Sequence, residues 1–68
     1  MLHELQPHQQ RVVEEKLALD TKVKALETFL SAPLFDSLDV AERGRLRRQL
    51  QIMQEYSSVL GERIAHFV

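Results

Sequence analysis

The stretch Leu46-Arg-Arg-Gln-Leu50-Gln-Ile-Met53-Gln-Glu-Tyr-Ser57-Ser-Val-Leu60-Gly-Glu-Arg-Ile64-Ala-His-Phe67 decides the fold. Its apolar side chains recur in alternating steps of four and three, with Ser57 the one polar interruption. Steps of that size keep every such residue on one narrow stripe of a helix, the pattern of a coiled-coil-like seam, whereas a half-buried strand would alternate in twos. Upstream, Val12, Lys16, Leu19, Val23, Leu26 and Leu30 repeat the rhythm, with Lys16 as the polar interruption. If the two helices double back on each other, paired residue numbers keep a nearly constant sum: Val23 faces Leu50, Leu19 faces Met53 and Val12 faces Leu60. Lys16 and Ser57 then face each other. The expected fold is all-α, an antiparallel two-helix hairpin.

Punctuation along the chain agrees with this period. Pro7 suits a first helical turn, where its missing N–H is not needed, so helix one is expected over about 7–31. Pro33 disfavours helical geometry at Ala32, and the connection is expected over 32–39, with Leu34, Phe35 and Leu38 folding inward over the open end of the seam. Asp39 followed by Glu42 has the form of a capping box, so helix two is expected over about 40–66. At about 1.5 Å per residue both rods are some 35 to 40 Å long, matched as a hairpin requires. The 68 residues leave room for one small domain.

Composition narrows the class. No cysteine is present, so neither a disulfide framework nor a thiolate metal site stabilises the chain. With 44% hydrophobic residues, 28% charged and two each of Gly and Pro, the chain is of the globular helical kind and not a disordered tail. A formal net charge of -1 argues against a protein built wholly around nucleic-acid phosphates. No apolar run approaches the roughly 20 residues that cross a bilayer, and the first residues lack the pattern of a signal peptide. A soluble, cytoplasmic protein without membrane partners is expected.

One stripe per helix is a thin core, because a single core of this size seldom supplies more than about 3–5 kcal/mol. Further apolar lines run outside the seams: Ile52, Tyr56 and Val59 followed by Arg63 on helix two, and Ala18, Ala25 and Phe29 on the equivalent flank of helix one. Val13 and Leu17 add area on the opposite flank. Isolated exposed apolar residues are ordinary on a monomer. Lines of them on both helices point instead to a helical-bundle homo-oligomer, of which a dimeric four-helix bundle is the simplest closed form and higher rings are alternatives.

Three groups of polar residues are candidates for chemistry. Lys16 and Ser57, inside the seam, read either as a register device with the lysine reaching outward along its stem, or, with Tyr56 beside Ser57, as the border of an anion pocket. Arg43, Arg45, Arg47 and Arg48 read either as a basic patch for phosphate or nucleic acid near a helix start, or as a solvated face next to Asp36, Asp39 and Glu42. Arg11, Glu15 and Lys22 on helix one, and Gln49, Tyr56 and Arg63 on helix two, flank the seams; such residues usually select register and partner, yet two cations and a ring are also what a nucleotide needs. No glycine-rich phosphate loop, nucleophile elbow or framed carboxylate pair occurs, so no enzymatic activity and no cofactor are expected. His3, His8 and His66 lack helical metal-ligand spacing, and no metal site is expected.

The strings Arg11-Val-Val-Glu-Glu-Lys16-Leu-Ala-Leu-Asp20-Thr-Lys22 and Gln49-Leu-Gln-Ile-Met53-Gln-Glu-Tyr56-Ser57-Ser-Val-Leu60-Gly-Glu-Arg63-Ile64 resemble a family of short tailed-phage and prophage proteins, some labelled crAss-phage-related. More distantly, the architecture is similar to the hairpin domain of phage anti-defence sponges that oppose CBASS and Thoeris immunity. The resemblance implies a non-catalytic anti-defence factor in the host-cell cytoplasm that sequesters a cyclic or ADP-ribose-type nucleotide at an oligomer interface. On that reading Arg11, Lys16, Lys22 and Arg63 hold the ligand and Tyr56 stacks on it. The alternatives are an inhibitor or adaptor docking an exposed helix face on a host or phage protein, and nucleic-acid binding through Arg43 to Arg48.

Overall fold

The computed structural model describes residues 4–67; His3 lies outside the described residues. Two long helices, α1 (Pro7–Leu30) and α3 (Val40–Ala65), lie against each other as an antiparallel hairpin, and a single helical turn, α2 (Pro33–Asp36), occupies the bend. No strand occurs among the described residues. The result is a rod measuring 52 × 15 × 15 Å. No described helix is long and apolar enough to cross a membrane.

Each helix end has a local cause. Pro7 is the first helical residue of α1, and the Gln6 N–H, which an isolated helix start would leave without a partner, donates to Gln9 Oε1 at 2.9 Å. Pro33 in turn opens α2. At the start of α3 one Asp39 carboxylate oxygen accepts from the N–H groups of Ala41 and Glu42, at 2.7 and 3.1 Å. The reciprocal half of the expected capping box is replaced: the Glu42 carboxylate accepts from Arg45 Nε at 2.7 Å, because a cation three residues on is a stronger donor than a backbone amide.

Alternating steps of four and three become the core. Val12, Leu19, Val23 and Leu60 are buried together, with Leu50, Met53, Ile64 and Phe67 packed half-buried against them. Leu60 is 0% exposed. Lys16 Nζ reaches Ser57 Oγ at 2.9 Å, which sets the register of the hairpin as the constant-sum pairing requires. The seam also begins one step earlier than its apolar residues: Gln9, three residues before Val12, is buried, and its carbonyl is occupied by the Gln6 N–H.

The bend closes differently from the expected inward triad. Phe35 is 2% exposed and Leu38 half-buried, but Leu34 turns outward at 64% exposure. The helical turn of α2 causes this, since neighbours in a helix point about 100° apart and only one of the adjacent pair can face the seam. Phe35 meets Phe29 edge to face, with ring centroids 6.1 Å apart and planes at 86°. Phe29 is thereby half-buried at the end of its flank and not left free on it.

Candidate functional site

The polar layer is a three-residue arrangement. Lys16 sits on the seam stripe, so its stem crosses the hairpin interior, and its ammonium donates to Ser57 Oγ and to Asp20 Oδ2, both at 2.9 Å. The Ser57 hydroxyl donates to the other oxygen of Asp20. Asp20 lies one turn after Lys16 and is exposed, so the layer opens to water at its edge. Gly61 makes room for the lysine: a Cβ there would stand 3.3 Å from Lys16 Cε. Lys16 therefore both reaches outward along its stem and holds charged and polar partners, which removes the cost of an unpaired ammonium in the seam. Asp20 was within reach of sequence reading, as an acidic residue four positions after a seam lysine; it lies off the apolar stripe, and the period alone does not call attention to it.

Hydrogen bonds from Ser57 and then Lys16 hold the Asp20 carboxyl below its ordinary value of 3.8, and those from the Glu42 and Ala41 amides do the same for Asp39. A carboxyl with a lowered folded pKa contributes stability above its unfolded pKa and loses it as pH falls through the folded value. Helicity and melting temperature are therefore expected to stay level from neutrality down to about pH 4 and to fall below it. Asp20→Asn and Asp39→Asn combined should flatten part of that acid limb; an acid titration monitored by circular dichroism that superimposes on the parent curve would refute the assignment.

Around this layer the structure sorts the flanks. The Tyr56 hydroxyl donates to the Glu15 carboxylate across the hairpin. That bond places two lines on one side of the rod: Arg11, Glu15, Ala18 and Lys22 of α1, which follow one another at steps of four and three, and Gln49, Ile52, Tyr56, Val59 and Arg63 of α3, which do the same. By the hairpin register Lys22 lies level with Gln49, and Arg11 level with Val59 to Arg63. Arg11, Lys22, Tyr56 and Arg63 are all exposed, with Tyr56 at 44% and Ile52 and Val59 at 56% and 49%. This flank thus presents cations at both ends of a centre that holds Ile52, Tyr56, Val59 and the Glu15 carboxylate bonded to Tyr56, with Lys16 behind it in the seam.

The arginine cluster does not converge. The Arg47 guanidinium stands over the Phe35 ring, 5.0 Å from its centroid, while Arg43, one turn earlier, is half-buried with no partner for its Nε. Arg45 and Arg48 point elsewhere and, with Gln49, Ile52 and Met53, line a shallow groove of about 320 Å³. Arg47 thus supports the fold at the bend, and Arg45 and Arg48 border an apolar groove.

A second groove of about 570 Å³ lies on the back of α1, lined by Glu4, Leu5, Gln10, Val13, Glu14 and Leu17. His8 is exposed, as is His66, whose Nδ1 lies 2.8 Å from the Glu62 carbonyl oxygen one turn back. Among the described residues no group of three or more histidine, aspartate or glutamate side chains is placed to hold a metal ion.

No curated protein and no solved structure matches the chain. The family model described as Sequestin matches residues 6–66, from the residue before α1 to the residue after α3. A match over both helices and the bend includes the polar layer and the Tyr56 flank, and the chain belongs to the Sequestin family.

Proposed function

We propose that this protein is a non-catalytic sequestering factor of phage origin that self-associates and withdraws an anionic nucleotide immune signal, of the cyclic or ADP-ribose type, from the host-cell cytoplasm. The family name is consistent with a sequestering role. The observation that carries the reading is the Tyr56–Glu15 bond, because it gathers Arg11, Lys22 and Arg63 on the same side of the rod as an exposed ring. Guanidinium and ammonium groups are donors suited to phosphate oxygens, and a half-exposed tyrosine offers a face to a base. One hairpin presents these groups on an open surface, so enclosing a nucleotide requires another copy, and the binding groups come from the interface between copies.

A protein-binding adaptor is the second reading, favoured by the exposure of Ile52 and Val59, which form an apolar line of the kind a partner groove accepts. Calorimetric titration with cyclic di- and trinucleotides and ADP-ribose isomers separates the two. Binding of at least one of these is expected, with affinity falling at least about tenfold in Lys22→Ala/Arg63→Ala, as loss of hydrogen bonds to a charged group implies. Absence of heat with every compound would leave the adaptor reading in its place.

A further inference from the structure

We infer that Glu15 is a specificity-determining residue of the Tyr56 flank: its carboxylate accepts from a hydroxyl or amino group of the bound anion, so the flank selects anions that carry such donors beside their phosphates and disfavours bare phosphates. This inference rests on the anion-binding reading above and adds to it how one anion is told from another.

An acid among cations works against phosphate binding unless it has a use of its own. Arg11, Glu15 and Lys22 fall within an arc of about 60° on α1, with Glu15 about 6 Å along the axis from Arg11 and about 10 Å from Lys22. A carboxylate there repels the phosphate that the cations attract. The helix gains little from it. Arg11 precedes Glu15 by four residues, the weaker order for such a pair, while the positions three and four residues after Glu15 hold Ala18 and the seam residue Leu19. Among the described residues the ion pairs are Lys16–Asp20 and Arg45–Glu42, and Glu15 belongs to neither. Its side chain there takes one hydrogen bond, from the Tyr56 hydroxyl to Oε2.

The flank therefore holds groups of three kinds, all exposed. Arg11, Lys22 and Arg63 are donors alone, the Tyr56 hydroxyl has committed its proton to Glu15, and Glu15 Oε1 is a charged acceptor. An anion made only of phosphate meets the donors and a repelling charge. A nucleotide brings oxygens for the cations and, from its ribose or base, O–H or N–H groups for the carboxylate, a bond of the stronger, charge-assisted kind. The acid thus lowers affinity for every anion and restores it only where a donor arrives with the phosphates, which is selection by a repulsive element. The bond from Tyr56 holds the carboxylate beside the ring, so little further ordering is needed to use it.

Glu15→Gln separates charge from position, because the amide oxygen still accepts from Tyr56 while the negative charge is gone. Position 15 is exposed, so helicity by circular dichroism should match the parent. Calorimetry then compares inorganic pyrophosphate, which offers no hydroxyl or amine, with the cyclic di- and trinucleotides and ADP-ribose isomers, which carry both. For each nucleotide that binds the parent, affinity is expected to fall at least about tenfold in Glu15→Gln. Pyrophosphate, titrated directly or as a competitor, is expected to bind equally well or up to about fivefold more tightly, as removal of one exposed repelling charge implies. A residue that only tethers Tyr56 would not separate the two. A smaller loss of nucleotide affinity, or a pyrophosphate affinity that falls with it, would overturn the inference and leave the sequestering reading standing. Tyr56→Phe frees Glu15 but keeps its charge and should retain the preference for nucleotide over pyrophosphate; loss of that preference as complete as in Glu15→Gln would assign selection to the tether and overturn the inference as well. A parent chain that binds none of the nucleotides removes the reading and the inference together, an outcome distinct from the other two.

Discussion

Leu60→Asp is expected to leave the chain without a stable hairpin. Leu60 is 0% exposed and sits in the buried cluster with Val12, Leu19 and Val23. Aspartate there removes the packing of a buried leucine, a loss of about 2–5 kcal/mol even for truncation to alanine, and adds the penalty of a carboxylate in an apolar seam. The nearby cation offers little relief, because the Lys16 ammonium is already shared between Asp20 and Ser57. Against a core worth about 3–5 kcal/mol, the loss exceeds the total. Far-UV circular dichroism should show the helical signal collapse at room temperature, and a cooperative melt near that of the parent chain would contradict the assigned core.

Phe35→Ala should be the most damaging change outside the seam, lowering stability by about 3–5 kcal/mol. Phe35 is 2% exposed, takes the edge-to-face contact with Phe29 and carries the Arg47 guanidinium over its ring. Removing the ring strips the cover from the bend end of the hairpin and frees both partners at once. Leu34→Ala, one residue earlier and 64% exposed, should change stability by no more than about 0.5 kcal/mol. Thermal melts of the two variants side by side give the contrast, and equal effects would mean that the bend does not pack on Phe35. Position and not hydrophobicity decides between these neighbours, since leucine and phenylalanine are equally at home in a core.

That pair marks the boundary of what periodicity carries. Along Val12 to Leu30 and Leu46 to Phe67 the spacing of apolar residues was enough to define two helices, the face each buries and the pairing of one against the other, down to the meeting of Lys16 with Ser57. Within Ser31 to Leu38 there is no repeat to read, and a single helical turn opened by Pro33 chose Phe35 over Leu34. Gln9 was also hidden, because a polar residue gives no apolar signal and is buried here only with its side-chain carbonyl occupied by the Gln6 amide.

The flanking residues follow the same division. Arg11, Lys22, Tyr56 and Arg63 were recognisable as flank positions from their steps along each helix, but a flank has two sides, and the Tyr56–Glu15 bond decides that these share one. The arginines at 43, 45, 47 and 48 form a cluster in the chain and two separate pairs in space, because residues two apart on a helix point about 200° from each other.

By itself, the order of residues determined the hairpin, its register and the excess of apolar surface, since each is set by a period that a helix converts directly into a face. Which polar groups close the seam, which aromatic ring seals the bend and which cations stand together were decided only by the tertiary structure. Those contacts depend on the distance and angle between two helices, and a spacing measured along one chain segment contains neither.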